Sequence, residues 1–503
     1  MKKQIFQIKF FNITLLVVLG FLLTQNVFAF DQNQVIYLNQ SYDLYNRSSI
    51  NITQIKATNV AIFYADVDWW NNLSLSDQNN LQSKVYLMSS ELEYKIKPTL
   101  NNIYGKEPDP IRGTDKRVNI ILTPMINSID GYIKTDDFML RNSTPFSNEG
   151  NIIYLSANKI KLSPDNIVYS FLAHEFTHLI TYNQKYLKSG AHDDIWLEEL
   201  RAEYSPTLLG YNQNWDSSYL RLRAADFIKS NVITLSNWDN ISANYAFVNL
   251  FAHYLVEQYG QNILFDSFNS PKTGIDSIND FLKQNGKLEN FDQVFQNWLI
   301  ANILNDCSLS TKYCYQNPNL KNITIIPISF YLPMNSNSTL AISDTLVPYM
   351  AKYQKISGGI GDLNFNFENP TDNLIKKIPY IVTYKDGSKK LFFLDFQKSS
   401  SQTVVIPNFS KDALSFIVIP YLVRSDQDYT NRSIFKWKAE INNFDTGTPQ
   451  STDSSNASTS NVQNTTSTTT DLANVILRQA KIIELQNKLI VLMQQLIALL
   501  LAR

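Results

Sequence analysis

The sequence predicts an α+β protein in which a mixed-sheet lobe and a helical lobe precede a β-sandwich-like domain and a C-terminal amphipathic helix. Apolar residues with helical spacing dominate the middle of the chain, whereas short β-rich runs separated by Gly, Pro, Asn and Asp begin after about Gln316. With 503 residues and 44% hydrophobic content, the chain is long and apolar enough for more than one core.

The first 29 residues have the pattern of a secretory signal peptide. Lysines near the start precede an apolar run from Ile13 to Leu23, and a small residue, Ala29, closes the segment. The alternative is an uncleaved membrane anchor, for which this apolar run is short. We therefore expect a secreted or cell-surface protein whose mature chain begins at Phe30.

Strand and helix patterns alternate in the region that follows. Val60 to Val67 and Val118 to Leu122 are apolar runs of strand length, and Leu75 to Tyr104 has helical spacing. Further strand-like runs lie at Gly131 to Ile133 and at Asn151 to Leu155. These elements predict the mixed sheet of the first lobe.

The chain is organised around His174, Glu175 and His178, which form an HExxH pattern on a predicted amphipathic helix. On a helix the two histidines lie one turn apart on one face, so both imidazoles can bind one metal ion with Glu175 beside them. The alternative is an ordinary helix that carries two histidines. Because the chain has only four histidines, their concentration here favours the metal site.

A zinc ion that keeps one position open for water needs a third protein ligand. The segment from Trp196 to Tyr204 has a helical pattern that places Glu199 and Glu203 one turn apart. His192 is another option, although it lies in a polar connection, Thr181 to Asp194, that has the composition of a loop.

These motifs resemble the gluzincin metallopeptidases, whose third zinc ligand is a glutamate on a second helix. More narrowly, the runs SNEGNIIYL, HEFTH and YAFVNLFAHYLVEQYG resemble the hyicolysin-type secreted neutral metalloproteases, over roughly Arg117 to Gly260. The resemblance implies a zincin-like catalytic domain with a Zn²⁺ cofactor. It also implies that the strand before the HExxH helix, Gly150 to Ser156, lines the substrate cleft, where the alternative is an ordinary core strand.

Residue matching within this resemblance points to Glu199 as the third zinc ligand. Glu198 stands where these families have asparagine and Leu200 where they have glycine, so Glu198 stays open as the alternative ligand. Glu203, one turn beyond Glu199, is then expected not to bind the metal itself but to orient one of its ligands.

Tyr245 and His253 are the candidates for stabilising the tetrahedral intermediate. Gluzincins use a tyrosine or histidine beyond the second ligand helix for this hydrogen bond, and both residues lie on one predicted helix that ends at Gly260. Because one helix does not easily aim both side chains, we favour Tyr245. Core packing is the alternative for each.

Cys307 and Cys314 are the two cysteines of the chain, and their proximity in an exported protein predicts a local disulfide. The alternative is a pair of buried free thiols. No histidine lies nearby in sequence, which argues against a metal site at these residues.

The C-terminal region is polar and then leucine-rich. Between Leu485 and Leu499, leucines recur at alternating four- and three-residue intervals. This pattern favours self-association of the helix, with attachment to the cell surface or membrane as the second possibility. The predicted segments are 1–29, signal peptide; 30–315, zincin-like metallopeptidase domain; 316–445, β-rich accessory domain; 446–470, Ser/Thr-rich linker; and 471–503, amphipathic coiled-coil-like helix.

The predicted function is a secreted zinc endopeptidase that acts on protein or peptide substrates. His174, His178 and Glu199 would hold the zinc ion, and Glu175 would act as general base. A formal net charge of −1 argues against nucleic acid as a partner. Two alternatives are a non-catalytic zincin-like surface adhesion or binding protein, against which the intact Glu175 argues, and a zinc enzyme that cleaves a different bond.

Overall fold

The computed structural model describes residues 34–111, 113–334, 336–369, 377–396, 399–423 and 432–442. These residues fall in one packing unit. The predicted signal peptide, the Ser/Thr-rich linker and the C-terminal helix lie outside the described residues. Among the helices within these ranges, none is both long enough and apolar enough to cross a membrane.

A six-stranded mixed sheet with the order β1-β2-β3-β4-β6-β5 forms the first lobe. Its central strands β3, β4 and β6 are parallel, and β5 runs antiparallel at one edge. The strands are β1 Val35–Tyr37, β2 Ser49–Ala57, β3 Ala61–Asp66, β4 Val118–Thr123, β5 Gly131–Tyr132 and β6 Ile152–Ser156. The helices of this lobe are α1 Val67–Asn71, α2 Leu75–Glu91, α3 Lys97–Tyr104 and α4 Ala157–Leu162, with a π-helical turn, Leu92–Ile96, between α2 and α3.

The three parallel strands are almost continuously apolar because both faces of the sheet are covered. Phe63 and Ile120 pack in the cluster that contains the helices, whereas Tyr64, Ile121 and Tyr154 belong to a smaller cluster. The predicted mixed sheet is therefore present, and its parallel centre explains why these runs lack polar alternation.

Helix α5, Asp165–Thr181, carries the HExxH residues and lies at the centre of the molecule. It begins after Pro164 with Asp165 in its first turn, where a carboxylate is favoured by the helix dipole. Thirteen of its 17 residues are buried, so α5 is a core helix rather than the amphipathic helix that the sequence predicts.

The chain beyond α5 continues as a π-helical segment, Tyr182–Leu187, where the sequence predicts a loop. Tertiary contacts stabilise this helical segment although its polar composition is typical of a loop. The Asn183 side chain donates to the carbonyl of Lys106, and the buried ammonium of Lys185 donates to the carbonyls of Phe268, Ser270 and Lys272. These hydrogen bonds compensate the burial of two polar side chains.

The second lobe is helical, as the sequence predicts, with one short strand inserted. Helix α5 packs against the first helix of this lobe, which in turn packs against the third. The helices are α6 Ile195–Leu208, α7 Tyr219–Ile228, α8 Ser242–Tyr259, α9 Asn262–Asn269, α10 Gly274–Gln284 and α11 Phe291–Leu304, and the inserted strand is β7 Val232–Thr234.

The β-rich part has two hydrogen-bonded layers. One layer contains β14-β13-β16-β11-β8 and the other β15-β12-β18-β9, and the pair Phe409–Ala413 joins them. Aromatic side chains of the two layers meet, as in the Phe365–Phe416 contact at 4.5 Å between ring centroids. The strands are β8 Ile328–Leu332, β9 Ser338–Leu346, β10 Met350–Lys352, β11 Gln354–Gly358, β12 Gly361–Glu368, β13 Lys377–Tyr384, β14 Lys389–Asp395, β15 Ser401–Phe409, β16 Ala413–Val418, β17 Tyr421–Leu422 and β18 Ser433–Asn442.

Packing is continuous between the helical lobe and the β-rich part. Strand β7 of the helical lobe pairs with β10, and Phe291 and Phe295 of α11 contact the ring of Tyr349. One apolar cluster extends from Trp196 to Ile441. The boundary predicted near residue 316 lies within the part of the chain that this cluster spans, and the division into two domains stays a prediction.

The predicted disulfide between Cys307 and Cys314 is present, with the two Cα atoms 5.1 Å apart. It closes a short loop directly after α11, and Cys314 is fully buried. The prediction of a local disulfide is confirmed.

Candidate active site

Helices α5 and α6 bring three potential metal ligands together. The Nε2 atoms of His174 and His178 are 3.0 Å apart. Oε2 of Glu199 lies 3.2 Å from the first of these nitrogens and 3.3 Å from the second. The one-turn spacing on α5 produces the histidine pair, and the contact between the two helices adds the carboxylate.

The spacing of these three atoms fits a zinc ion. In a tetrahedral site with bonds of about 2.0–2.1 Å, ligand atoms are separated by about 3.3 Å. Oε2 of Glu199 is buried and has no hydrogen-bond partner in the described part of the chain. Burial opposes the ionisation of Glu199, but the combined interactions with His178 and His174 outweigh it and hold the carboxyl pKa well below its usual value. An ionised carboxylate beside two imidazoles is a typical donor set for zinc.

Glu203 lies behind this group and faces the other side of the His174 ring. Its Oε1 is 3.5 Å from Nδ1 of His174, so the remaining ring nitrogen faces a carboxylate. Arg223 donates to both oxygens of Glu203, and Asn249 and Tyr219 also donate to it. Glu203 is fully buried, and these donors compensate its charge.

Glu175 lies on the cleft side of α5, next to the three-residue group. Burial raises its pKa to about 8, and the charge on Glu199 contributes to the rise. The side chain is in contact with strand β5. A Cβ atom on Gly131 would lie 2.9 Å from Cγ of Glu175 and 2.8 Å from the carbonyl oxygen of Tyr154. Only glycine lets the strand pass this close to Glu175.

Strand β5, rather than β6, forms the edge of the sheet at the cleft. Gly131 lines the cavities on both sides of Glu175. Strand β6 is fully buried and pairs with β4 and β5. The expectation that Gly150 to Ser156 forms the exposed cleft edge is therefore wrong, because the two-residue strand β5 covers it.

Tyr245 of α8 lies in the same cleft. Its ring centroid is 6.4 Å from that of His174, and its hydroxyl donates to Oδ1 of Asn240 at 2.5 Å. Nδ2 of Asn240 donates to the hydroxyl of Tyr42 from the first lobe. A hydrogen-bonded bridge therefore crosses the cleft beside Tyr245, and its proposed catalytic role stays a prediction.

The other histidines lie elsewhere. His253 is buried, its Nε2 is 3.2 Å from the hydroxyl of Thr207, and burial lowers its pKa to about 3. It lines neither cavity beside Glu175, which favours the core-packing alternative. The ring of His192 packs against Tyr186, with 4.3 Å between centroids. Neither belongs to the group formed by His174, His178 and Glu199.

Sequence reasoning missed Gly131, Asn240, Tyr42 and Arg223. A glycine before an apolar pair is a weak signal, and nothing in the sequence places Tyr42 opposite Asn240. Asn240 carries one local signal that is visible only in the structure, a φ of 56°, in the left-handed region that asparagine tolerates.

No family model matches the chain. The chain is similar to the neutral metalloprotease ShpI of Staphylococcus hyicus, with 26% identity over 205 residues that cover 37% of this chain and 45% of the relative. This similarity relates the chain to metalloproteases. The chain spans less than half of the relative's length, and the narrower gluzincin assignment stays a prediction.

Several solved structures also match, among them the following two. The mitogen YPM of Yersinia pseudotuberculosis shares 9% identity over 22% of this chain and 89% of its own, with a TM-score of 0.17. A pre-peptidase C-terminal domain of collagenase from Bacillus anthracis shares 4% identity over 23% of this chain and 96% of its own, with a TM-score of 0.16. These TM-scores are too low to support an argument.

Proposed function

We propose that this chain is a zinc-dependent endopeptidase of the gluzincin type. The observation that carries the proposal is the convergence of His174, His178 and Glu199, with donor atoms 3.0–3.3 Å apart, beside the buried carboxyl group of Glu175. The similarity to a neutral metalloprotease supports the same reaction class.

His174, His178 and Glu199 would bind the zinc ion, while Glu203 orients His174. Zinc in such a site acts as a Lewis acid toward the scissile carbonyl and makes water a stronger acid. Glu175 takes the proton from the attacking water and passes it to the leaving amine.

The remaining cleft residues would position the substrate. The free edge of β5 at Gly131 pairs with the extended main chain of a peptide, because an exposed strand edge supplies unpaired N–H and C=O groups. Tyr245 donates a hydrogen bond to the oxyanion of the tetrahedral intermediate once its hydroxyl leaves Asn240.

We also propose that the protein acts outside the cytoplasm. The predicted signal peptide suggests export, and the disulfide between Cys307 and Cys314 supports it because such bonds persist in oxidising compartments. A test is to compare the mass of the protein in the culture medium with the mass of the full chain. Retention of residues 1–29 in a cell-bound product would contradict secretion.

The function is tested by incubating the purified protein with casein. We expect digestion that a zinc chelator abolishes and added Zn²⁺ restores. A zinc-loaded protein that leaves casein and a mixed peptide library uncut would contradict peptidase activity and favour a binding protein.

The third ligand is tested by metal analysis of two neighbouring variants. We expect Glu199→Ala to weaken zinc binding beyond the roughly 10–100-fold that removal of a ligand-orienting residue causes. The matched control is Glu198→Ala, whose carboxyl group lies outside the three-residue group. Full zinc content in Glu199→Ala, together with loss in Glu198→Ala, would reverse the assignment.

The role of Tyr245 is tested by Tyr245→Phe, which removes only the hydroxyl group. We expect kcat to fall by about 10²–10³-fold with little change in KM, because the lost hydrogen bond strengthens in the transition state. Tyr94→Phe, at an exposed tyrosine of the first lobe, is the matched control. An unchanged kcat for Tyr245→Phe would leave Tyr245 as a packing residue.

A further inference from the structure

The substrate cleft has two differently lined cavities. His174, Glu175 and Tyr245 line both of them. The smaller cavity, of about 390 Å³, extends past His178 and Glu199, and we call it the aromatic cavity. Five aromatic side chains contribute to its walls: Tyr42, Tyr132, Tyr182, Trp238 and Tyr245.

Charge distinguishes the two cavities. Lys159, Arg223 and Lys229 line the larger one, together with Asp130 and Asp226. The described residues that line the aromatic cavity include no lysine and no arginine. Its carboxylates belong to Glu175, Glu198 and Glu199.

Glu198 is the carboxylate that the proposed chemistry does not use. The proposed chemistry assigns Glu199 to the metal ion and Glu175 to proton transfer, which leaves Glu198 without a role. Its carboxylate forms no hydrogen bond or ion pair with any residue that the structure describes. Its side chain instead lines the aromatic cavity, together with the tyrosine and tryptophan side chains named above.

A cation in the aromatic cavity would form an ion pair with the carboxylate of Glu198. Ammonium and guanidinium groups are attracted to the faces of tryptophan and tyrosine rings as well as to a carboxylate. A neutral polar side chain would gain less from the charge of Glu198, and an acidic one would be repelled by it.

We propose that the aromatic cavity binds a lysine or arginine side chain of the peptide substrate, with Glu198 as its counter-ion. This inference rests on the proposed peptidase function and names the substrate class. Glu198 is thereby a residue that determines substrate specificity. A glutamate at this position, where the resembling families have asparagine, supplies the negative charge that pairs with the basic side chain.

The first test is a cleavage-site profile of casein and a peptide library, read by mass spectrometry. We expect lysine and arginine to be enriched about tenfold at one fixed position relative to the cut bond. Glu198→Gln should abolish this enrichment, and Glu198→Lys should shift it toward aspartate and glutamate. Glu368→Gln, at an exposed glutamate of β12, is the matched control and should retain it.

A second test uses Glu175→Gln protein, so that peptides are bound but not cut. Calorimetry should show about tenfold tighter binding of a lysine-containing peptide than of the same peptide with methionine, and Glu198→Gln should remove the difference. Circular dichroism of each variant checks that it is folded.

The two proposals fail in different ways. Efficient cleavage without any preference for basic residues, or a preference that survives Glu198→Gln, overturns the inference and leaves the peptidase function intact. Absence of all cleavage counts against the peptidase function, and the binding experiment then decides the inference. Equal binding of the lysine and methionine peptides overturns it.

Discussion

Glu175→Gln is expected to lower kcat for peptide cleavage by about 10²–10⁴-fold, the contribution of a well-placed general acid–base group. Glutamine has nearly the same shape as glutamate but does not accept the proton of the attacking water. The substitution also fits the tight space beside Gly131, so the fold should be preserved. The measurement is the initial rate on a fluorogenic peptide.

Zinc content is the control for Glu175→Gln. Because Glu175 is not part of the group formed by His174, His178 and Glu199, the variant should bind zinc as the unmodified chain does. If the variant retains zinc and cleaves the peptide within fivefold of the normal rate, Glu175 is not the general base.

Glu203→Ala is expected to destabilise the protein by about 3–5 kcal/mol, because the buried guanidinium of Arg223 loses its nearer carboxylate and keeps, among the carboxylates of the described residues, only that of Asp130 at 4.0 Å. The substitution also removes the carboxylate that faces Nδ1 of His174 and that accepts from Asn249 and Tyr219. Asn249 and Tyr219 keep the Glu203 backbone carbonyl and Asp130, respectively, as acceptors. Zinc affinity should therefore fall by about 10–100-fold. Urea unfolding and competition with a chromophoric chelator measure the two effects.

Glu368→Ala is the control for this stability measurement, since Glu368 is exposed and its substitution should change stability by no more than about 0.5 kcal/mol. A Glu203→Ala protein with normal stability and normal zinc affinity would show that the network around Arg223 is dispensable. Loss of stability with unchanged zinc affinity would limit Glu203 to a structural role.

The spacing of the two histidines in the candidate metal site could be predicted from the sequence because helical periodicity fixes it locally. His174 and His178 come within 3.0 Å of each other through their one-turn spacing alone. Glu199 was predicted by residue matching, and the packing of α6 on α5 places its carboxylate at the histidine pair. Side chains that depend on one element are thus predictable from sequence.

The cleft was less predictable because it is assembled from distant segments. Tyr42 and Asn240 are separated by 198 positions and meet only when the two lobes pack. Strand β5 has two residues, too few for a periodic pattern, yet it determines which backbone faces the cleft. The π-helical segment after α5 depends on hydrogen bonds that the ammonium of Lys185 donates to three carbonyl groups far away in the sequence.

The continuity between the helical lobe and the β-rich part was also invisible in the sequence. A change from helical to alternating patterns marks a change of secondary structure, and we interpreted it as a domain boundary. The ring of Tyr349 against Phe291 and Phe295 shows that the two patterns share one interior.

A peptidase of the proposed kind would also encounter other copies of its own chain, which are potential substrates. Proteases cut backbone segments that can unfold locally into an extended conformation. Linkers between independent domains are common cleavage sites. In this chain the segment that connects the helical lobe to the β-rich part contains the buried side chains of Leu320 and Ile325. The amide of Ile325 also donates a hydrogen bond to the carbonyl of Asn302. Under the proposed function, this segment, which is held against the rest of the protein, would be protected from cleavage by other copies of the chain.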